Sequence, residues 1–129
     1  MGRQTAWWAR DWTVGVSFDL RAGLPYTVYA GYDRNKNGDP VSDRPAGVGR
    51  NSETLPTQFT LDLRVARTFR LGGALTAELI AVCTNLTNHL NVLQIQNVQG
   101  PPGFEDPTFG QPTLYGPGRL FQLGARLNF

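Results

Sequence analysis

The amino-acid sequence predicts an all-β fold of antiparallel, up-and-down strands, and three observations lead to this prediction. Apolar residues alternate with polar or small ones along several segments, which is the two-residue period of a half-buried strand. Gly and Pro are abundant, at 15 and 9 of 129 residues, so long uninterrupted helices are not expected. Two of the segments are joined by a tight glycine turn, and long stretches without any period separate the others.

The first strand is predicted over about 12–32. Every even position from Trp12 to Tyr32 is apolar or aromatic, whereas the odd positions are polar or small apart from Pro25 and Tyr29. The unbroken phase favours one long strand with a kink or bulge at Gly23 and Pro25. The alternative is a hairpin turn at 21–25.

The next two strands are predicted over 58–71 and 75–86, with their turn at Gly72 and Gly73. Arg67 interrupts the apolar side of the first of them. The last strand is predicted over 119–129, and hairpin order places it antiparallel to 75–84. The apolar positions of these three strands are Phe59, Leu61, Leu63, Val65, Phe69, Leu71, Leu75, Ala77, Leu79, Ala81, Cys83, Phe121, Leu123, Ala125, Leu127 and Phe129.

Long loops are predicted over 33–57 and 87–118. Loops of this length are uncommon in a compact soluble domain, but transmembrane barrels combine short periplasmic turns with long extracellular loops. The loop lengths therefore favour part of a transmembrane β-barrel over a soluble sandwich. Trp7, Trp8 and Trp12 fit the aromatic girdle of such a barrel, although three Trp residues also fit an ordinary core cluster.

Composition excludes several kinds of function. The formal net charge is +2, and the basic residues are scattered, so nucleic acid is not an expected partner. Cys83 and His89, the single residues of their types, belong to no recognisable catalytic motif, so no catalytic residues are predicted and the chain is not expected to be an enzyme. The sequence contains no apolar stretch long enough for a membrane helix, and its start lacks the apolar core of a secretory signal.

One loop has oxygen-bearing side chains at alternate positions, which is the spacing of the first half of a calcium loop. They are Asp33, Asn35, Asn37 and Asp39, and Gly38 is placed for a sharp turn. The twelfth position holds Arg44 where an EF-hand needs Glu. Two interpretations follow, a looser Ca²⁺ site that uses Asp39 or Asp43 and a polar turn in which Asn and Gly adopt left-handed conformations.

The chain closes on an aromatic residue, with an apolar residue at every second position before it. These residues are Phe121, Leu123, Ala125, Leu127 and Phe129. The pattern looks like the terminal signal that the barrel-assembly machinery of bacterial outer membranes recognises by strand pairing. It therefore predicts an assembly signal in residues 121–129.

Taken together, these segments give the chain a family resemblance. It resembles the last strands of a TonB-dependent outer-membrane receptor, of the group with a carboxypeptidase-regulatory-like domain before the plug. The matching stretches are Trp12-Thr-Val-Gly-Val16, Ala22-Gly-Leu-Pro-Tyr-Thr-Val28, Asp43-Arg-Pro-Ala-Gly-Val-Gly-Arg-Asn-Ser52, Leu61-Asp-Leu-Arg-Val-Ala-Arg-Thr-Phe-Arg70, Asn85-Leu-Thr-Asn-His89, Phe109-Gly110 and the closing strand.

The resemblance implies a place in the outer membrane of a Gram-negative cell and a role in the transport of a scarce ligand. Four strands cannot close a membrane barrel, so the chain is expected to be a C-terminal fragment, residues 1–129 forming one barrel segment. The expected partners are outer-membrane lipid, the barrel-assembly machinery and the remaining barrel strands or other copies. TonB is expected to act only through a plug domain that this sequence lacks.

Two function hypotheses from different classes follow from the sequence. In the first, the chain is the barrel part of an energy-coupled receptor that holds its ligand on the two long loops. In the second, it is a soluble or surface-displayed β-rich binding module that uses the same loops and has no membrane role. Exposure of Leu63 and Leu79 discriminates between them, because a second sheet would bury both residues in a sandwich.

Overall fold

The computed structural model describes residues 10–129. Within this range the chain is all-β, as predicted, and none of its residues forms a helix able to span a membrane. The strands are β1 (Trp12–Arg21), β2 (Pro25–Tyr26), β3 (Glu53–Thr54), β4 (Gln58–Gly72), β5 (Leu75–Thr84), β6 (Val92–Ile95), β7 (Pro112–Tyr115) and β8 (Leu120–Asn128).

The described chain divides into two compact units. We call residues 10–19, 60–89 and 118–129 the sheet unit, and residues 20–59 and 90–117 the loop unit. Each is described by itself below.

The sheet unit contains one four-stranded sheet in the order β1-β4-β5-β8. β5 pairs antiparallel with both β4 and β8, which confirms the predicted partner of the last strand. Two contacts show that β1 also runs antiparallel to β4. Thr68 N donates to Asp11 O at 3.0 Å, and a Cβ added to Gly15 would lie 3.9 Å from the Cβ of Arg64. The contacts thus advance along β1 while they go back along β4. The four long strands are therefore neighbours in chain order.

Directly opposed residues of an antiparallel pair point to the same side of the sheet. Leu63 faces Cys83 and Val65 faces Ala81, so these strands share one apolar side, as predicted. We call this side the apolar face and the other the polar face. The apolar face consists of Trp12, Val14, Val16, Phe18 and Leu20 of β1, the odd positions of β4 and β5, and Phe121, Leu123, Ala125 and Leu127 of β8.

The prediction of one strand over 12–32 is wrong. β1 ends at Arg21, and the next paired residues, Pro25–Tyr26, belong to a separate sheet with β3, so the hairpin alternative is not formed either. The reason lies at Gly23, where an added Cβ would lie only 1.7 Å from the carbonyl oxygen of Leu55. This backbone approach, which only glycine permits, ends the regular strand while the alternation of side chains continues.

The two predicted loops are more ordered than their sequences suggest. Within the loop unit, β2 pairs with β3 and β6 with β7, both antiparallel, and Tyr29 forms a parallel bridge with Val98. The buried apolar residues of the loop unit are Val28, Ala30, Leu55 and Val92.

The strand predicted over 75–86, which is β5, ends at Thr84 rather than at residue 86, because Asn85 adopts a positive φ of 50°.

Candidate functional site

The apolar face is unusually exposed. Leu79 is 53% exposed, Leu123 88% and Val16 66%, and Leu63 is only half-buried. Within the described part of the sheet unit, the buried apolar residues are Ala66 and Cys83 alone. A soluble sandwich would cover this face with a second sheet, and a contiguous apolar surface of this kind marks a site of interaction with another surface or with a membrane.

The predicted assembly residues lie together on this face. Phe121, Leu123, Ala125 and Leu127 project from β8, and Phe129, which follows the last strand residue, is fully exposed. β5 occupies one side of β8, and the opposite side has no partner strand in the described range. Free backbone groups and a row of apolar side chains are what docking by strand addition requires.

Trp12 is the described member of the predicted aromatic girdle, and Trp7 and Trp8 lie outside the described residues. Its side chain is half exposed at the start of β1, so it is no part of a buried cluster. The guanidinium of Arg67 lies 5.1 Å from the centre of the Trp12 ring and 4.9 Å from that of Phe69. The interruption of the apolar pattern at Arg67 is therefore accommodated by two aromatic rings.

The polar face carries an ion-pair ladder across three strands. The Glu78 carboxylate on β5 lies 3.5 Å from the guanidinium of Arg64 on β4 and 3.8 Å from that of Arg126 on β8. The Glu78 side chain is only 18% exposed, whereas its partners Arg64 and Arg126 are 42% and 65% exposed, so solvent still reaches both ion pairs. The sequence shows these charges, but their mutual contact depends on strand register, which alternation alone does not specify.

The predicted calcium residues form a stack of Asx turns in the loop unit. Asp33 accepts hydrogen bonds from the backbone N–H groups of Asn37 and Gly38 at 3.0 and 2.8 Å. The Asn37 side chain accepts one from Asp39 N at 2.8 Å. The Asn35 side chain accepts one from Asn37 N at 3.0 Å and donates to the buried Asp43 at 2.8 Å. Side-chain oxygens of all four residues thus already accept local hydrogen bonds. The left-handed residues of this turn are Gly38, as the polar-turn interpretation expects, and Lys36 rather than an Asn.

Asp39 shows the electrostatic consequence of this arrangement. The hydroxyl of Ser42 donates to its carboxylate at 2.7 Å and Val41 N at 2.9 Å, and these hydrogen bonds lower the pKa of Asp39. In the described range no three His, Cys, Asp or Glu side chains are grouped as metal ligands. Calcium binding by Asp33, Asn35, Asn37 and Asp39 stays a prediction.

Two asparagine side chains, the buried Asn91 and the half-buried Asn97, hold backbone segments of the loop unit together, and the sequence did not predict this role. In the loop unit, the Asn91 side chain accepts a hydrogen bond from Phe59 N at 2.7 Å and donates one to Phe59 O at 2.9 Å, as a neighbouring strand would. Asn97 donates to Thr27 O at 2.9 Å. The available signal was the density of Asn in segments without period, because Asn mimics backbone pairing where regular strands stop.

The loop unit also contains two cavities that are lined in part by the segments predicted to hold a ligand. The smaller, of about 230 Å³, is lined by Ala30, Tyr32, Arg34 and Glu105 among others. The larger, of about 440 Å³, is bounded by apolar residues such as Leu55 and by the amide residues Gln94 and Asn97. Both are within or near the size range of small-ligand sites.

No protein-family model, curated protein or solved structure matches the chain.

Proposed function

We propose that this chain is the C-terminal barrel part of a TonB-dependent outer-membrane receptor that takes up a scarce ligand. Its apolar face contacts lipid, and its polar face lines a hydrated lumen. The two long loops of the loop unit contribute to ligand binding on the outer side. Transport by TonB requires a plug domain supplied by the rest of the receptor.

The observation that carries this proposal is the exposure of the apolar face along β1, β5 and β8, together with its incomplete burial along β4. Leu123 at 88% exposure and Val16 at 66% belong to the two edge strands, while Leu79 at 53% belongs to an inner strand. Burying a Leu or Val side chain contributes about 1.5–3 kcal/mol, so leaving a whole face in water forgoes much of the stabilisation available to the sheet. Lipid covers such a face without a second protein layer.

The two faces differ in the way that a membrane wall requires. The polar face carries the Arg64–Glu78–Arg126 ladder, whereas a single charge, Arg67, lies on the apolar face of the described strands. The alternation of polar-in and apolar-out residues is the defining pattern of membrane β-barrels. Among residues 10–129 no strand pairs with the outer edge of β8, and this supports the further proposal that residues 121–129 are an assembly signal for the barrel-assembly machinery.

Detergent dependence tests the proposal against the soluble binding module. The full chain is placed in plain buffer and in phospholipid-like detergent micelles, and its strand content and mass are measured by circular dichroism and light scattering. We expect strand structure in micelles and aggregation in buffer, because the uncovered face and strand edges associate in water. A chain that is folded and monomeric in buffer contradicts the membrane proposal and favours the soluble module.

A further inference from the structure

We propose that the apolar face binds one anionic phospholipid, whose phosphate contacts Arg67 and whose acyl chain occupies the groove beside it. This inference rests on the proposed function, because it needs the apolar face to contact lipid. It adds a defined headgroup site to a surface that would otherwise contact lipid without selectivity.

Arg67 is the first element of the site. It is the one charged side chain among the apolar-face positions of the described strands, opposite Leu79 on β5. Within residues 10–129 its guanidinium makes no ion pair or side-chain hydrogen bond. A guanidinium has five N–H donors and stays charged at any physiological pH. In contact with lipid it therefore requires an external oxygen acceptor.

Two aromatic rings hold this guanidinium in place. Trp12 from β1 and Phe69 from β4 lie 5.1 and 4.9 Å from it, measured to their ring centres. Such contacts stabilise the cation through the ring faces but provide no oxygen acceptor for its N–H groups. Trp is also the residue most typical of the level at which lipid headgroups meet the hydrocarbon. A bidentate contact with a phosphate satisfies the donors that the rings leave open.

An apolar groove begins at the same cluster. Its volume is about 320 Å³, and it is lined by Trp12, Arg67, Phe69, Val65, Ala81 and Leu123 among others. Arg67 of β4 lies opposite Leu79 of β5. Two residues further along the sheet, Val65 of β4 lies opposite Ala81 of β5, which in turn lies opposite Leu123 of β8. The site therefore combines one cationic side chain with apolar walls. An anionic phospholipid supplies the complementary pair of groups, a phosphate and an acyl chain, whereas a free phosphate would leave the apolar walls uncovered.

Quenching of Trp12 fluorescence by brominated lipid tests the site. The full chain carries Trp7→Phe and Trp8→Phe, so that Trp12 is the single reporter, and is reconstituted in phosphatidylcholine vesicles. Brominated phosphatidylglycerol or brominated phosphatidylcholine is then added at increasing mole fraction. We expect the anionic lipid to reach half-maximal quenching at about tenfold lower mole fraction, the scale of one hydrogen-bonded contact to a charged group.

Three variants locate the preference. Arg67→Gln removes the charge, and Arg67→Met removes charge and donors with a side chain that the lipid-facing surface accepts. Both should bring the two lipids to within about twofold of each other, since the remaining groove contacts are the same for both headgroups. Arg70→Gln is the matched control, because Arg70 lies three residues away on the polar face and pairs weakly with Asp11 at 4.0 Å. It should retain the full preference.

The outcomes separate this inference from the proposed function. Equal quenching by the two lipids in the parent chain, or an unchanged preference in a folded Arg67 variant, overturns the phospholipid site alone. Absence of quenching by either lipid, with strand content intact by circular dichroism, contradicts the lipid-facing surface and with it both proposals.

Discussion

The sheet unit and the loop unit satisfy their backbone groups in different ways. In the sheet unit, long antiparallel ladders such as Thr76–Thr84 against Leu120–Asn128 pair the backbone, while the apolar side chains stay exposed. In the loop unit, strands of two to four residues leave many groups unpaired, and Asn and Asp side chains bond to them. In the function that we propose, the first arrangement is stabilised by a surrounding apolar medium, whereas the second depends on local hydrogen bonds that water tolerates.

The largest effect that separates the two units is expected from a charge on the apolar face. Leu123→Arg should lower the free energy of unfolding in phospholipid vesicles by about 2–4 kcal/mol, because the guanidinium would enter hydrocarbon. Urea titration followed by circular dichroism measures it. Gln122→Arg, one residue away on the polar face, is the control and should change stability by less than about 0.5 kcal/mol. Equal effects of the two substitutions would contradict the assignment of faces.

The loop unit should respond to loss of an amide instead. Asn91→Ala removes the two hydrogen bonds that its side chain makes to the N–H and C=O groups of Phe59, which should cost about 1–3 kcal/mol of unfolding free energy. Asn97→Ala removes a single hydrogen bond to Thr27 and should cost about half as much. The loss of stability of each variant is measured by thermal unfolding in the phospholipid-like detergent micelles described above. If Asn91→Ala proves neutral, the side-chain pairing is not what holds the loop unit together.

Phe129 is predicted to matter for assembly rather than for ligand binding. Phe129→Ala in the intact receptor that we propose should reduce the amount in the outer membrane and leave ligand affinity unchanged. Loss of the ring removes on the order of 2 kcal/mol of apolar burial at the docking step. Quantitative blotting of outer-membrane fractions beside ligand titration measures both effects. Unchanged abundance would contradict the assembly signal in residues 121–129.

The smallest expected effect is a dependence of the loop unit on acid. The pKa of Asp39 is lowered mainly by a hydrogen bond from the Ser42 hydroxyl, and that of Asp106 mainly by one from the Thr108 hydroxyl. A carboxylate whose pKa is lower in the folded state stabilises that state above its unfolded pKa, and this contribution is lost as pH falls through the folded value. Amide exchange at Val41 and Ser42 should therefore become faster, relative to β5, as pH falls below about 4.

Ser42→Ala sharpens that prediction. It removes the main cause of the lowered pKa of Asp39, so protection at Val41 should be lost at a higher pH than in the parent chain. Ser52→Ala, in the same unit, is the control and should leave the profile unchanged. An acid profile that Ser42→Ala does not move would exclude Asp39 as its source.

The sheet was predictable from the sequence to a degree that the loops were not. β4, β5 and β8 begin and end within two residues of the predicted strands, because alternation of side chains and the Gly72–Gly73 turn are local signals. The break after Arg21 was missed because it depends on the approach of Leu55, more than thirty residues away, to Gly23. The contacts of Arg67 with Trp12 likewise require the register of β1 against β4, which no local pattern specifies.

Accessibility along β8 tests the central claim that the apolar face contacts lipid. Single cysteines at positions 121–127, in a Cys83→Ser background, are spin-labelled in phospholipid vesicles and exposed to oxygen, which enters lipid, and to a water-soluble nickel chelate. The account predicts a period of two, with odd positions such as Leu123 relaxed by oxygen and even positions such as Gln122 relaxed by the chelate. Odd positions protected from both agents, or accessible mainly to the chelate, would contradict it.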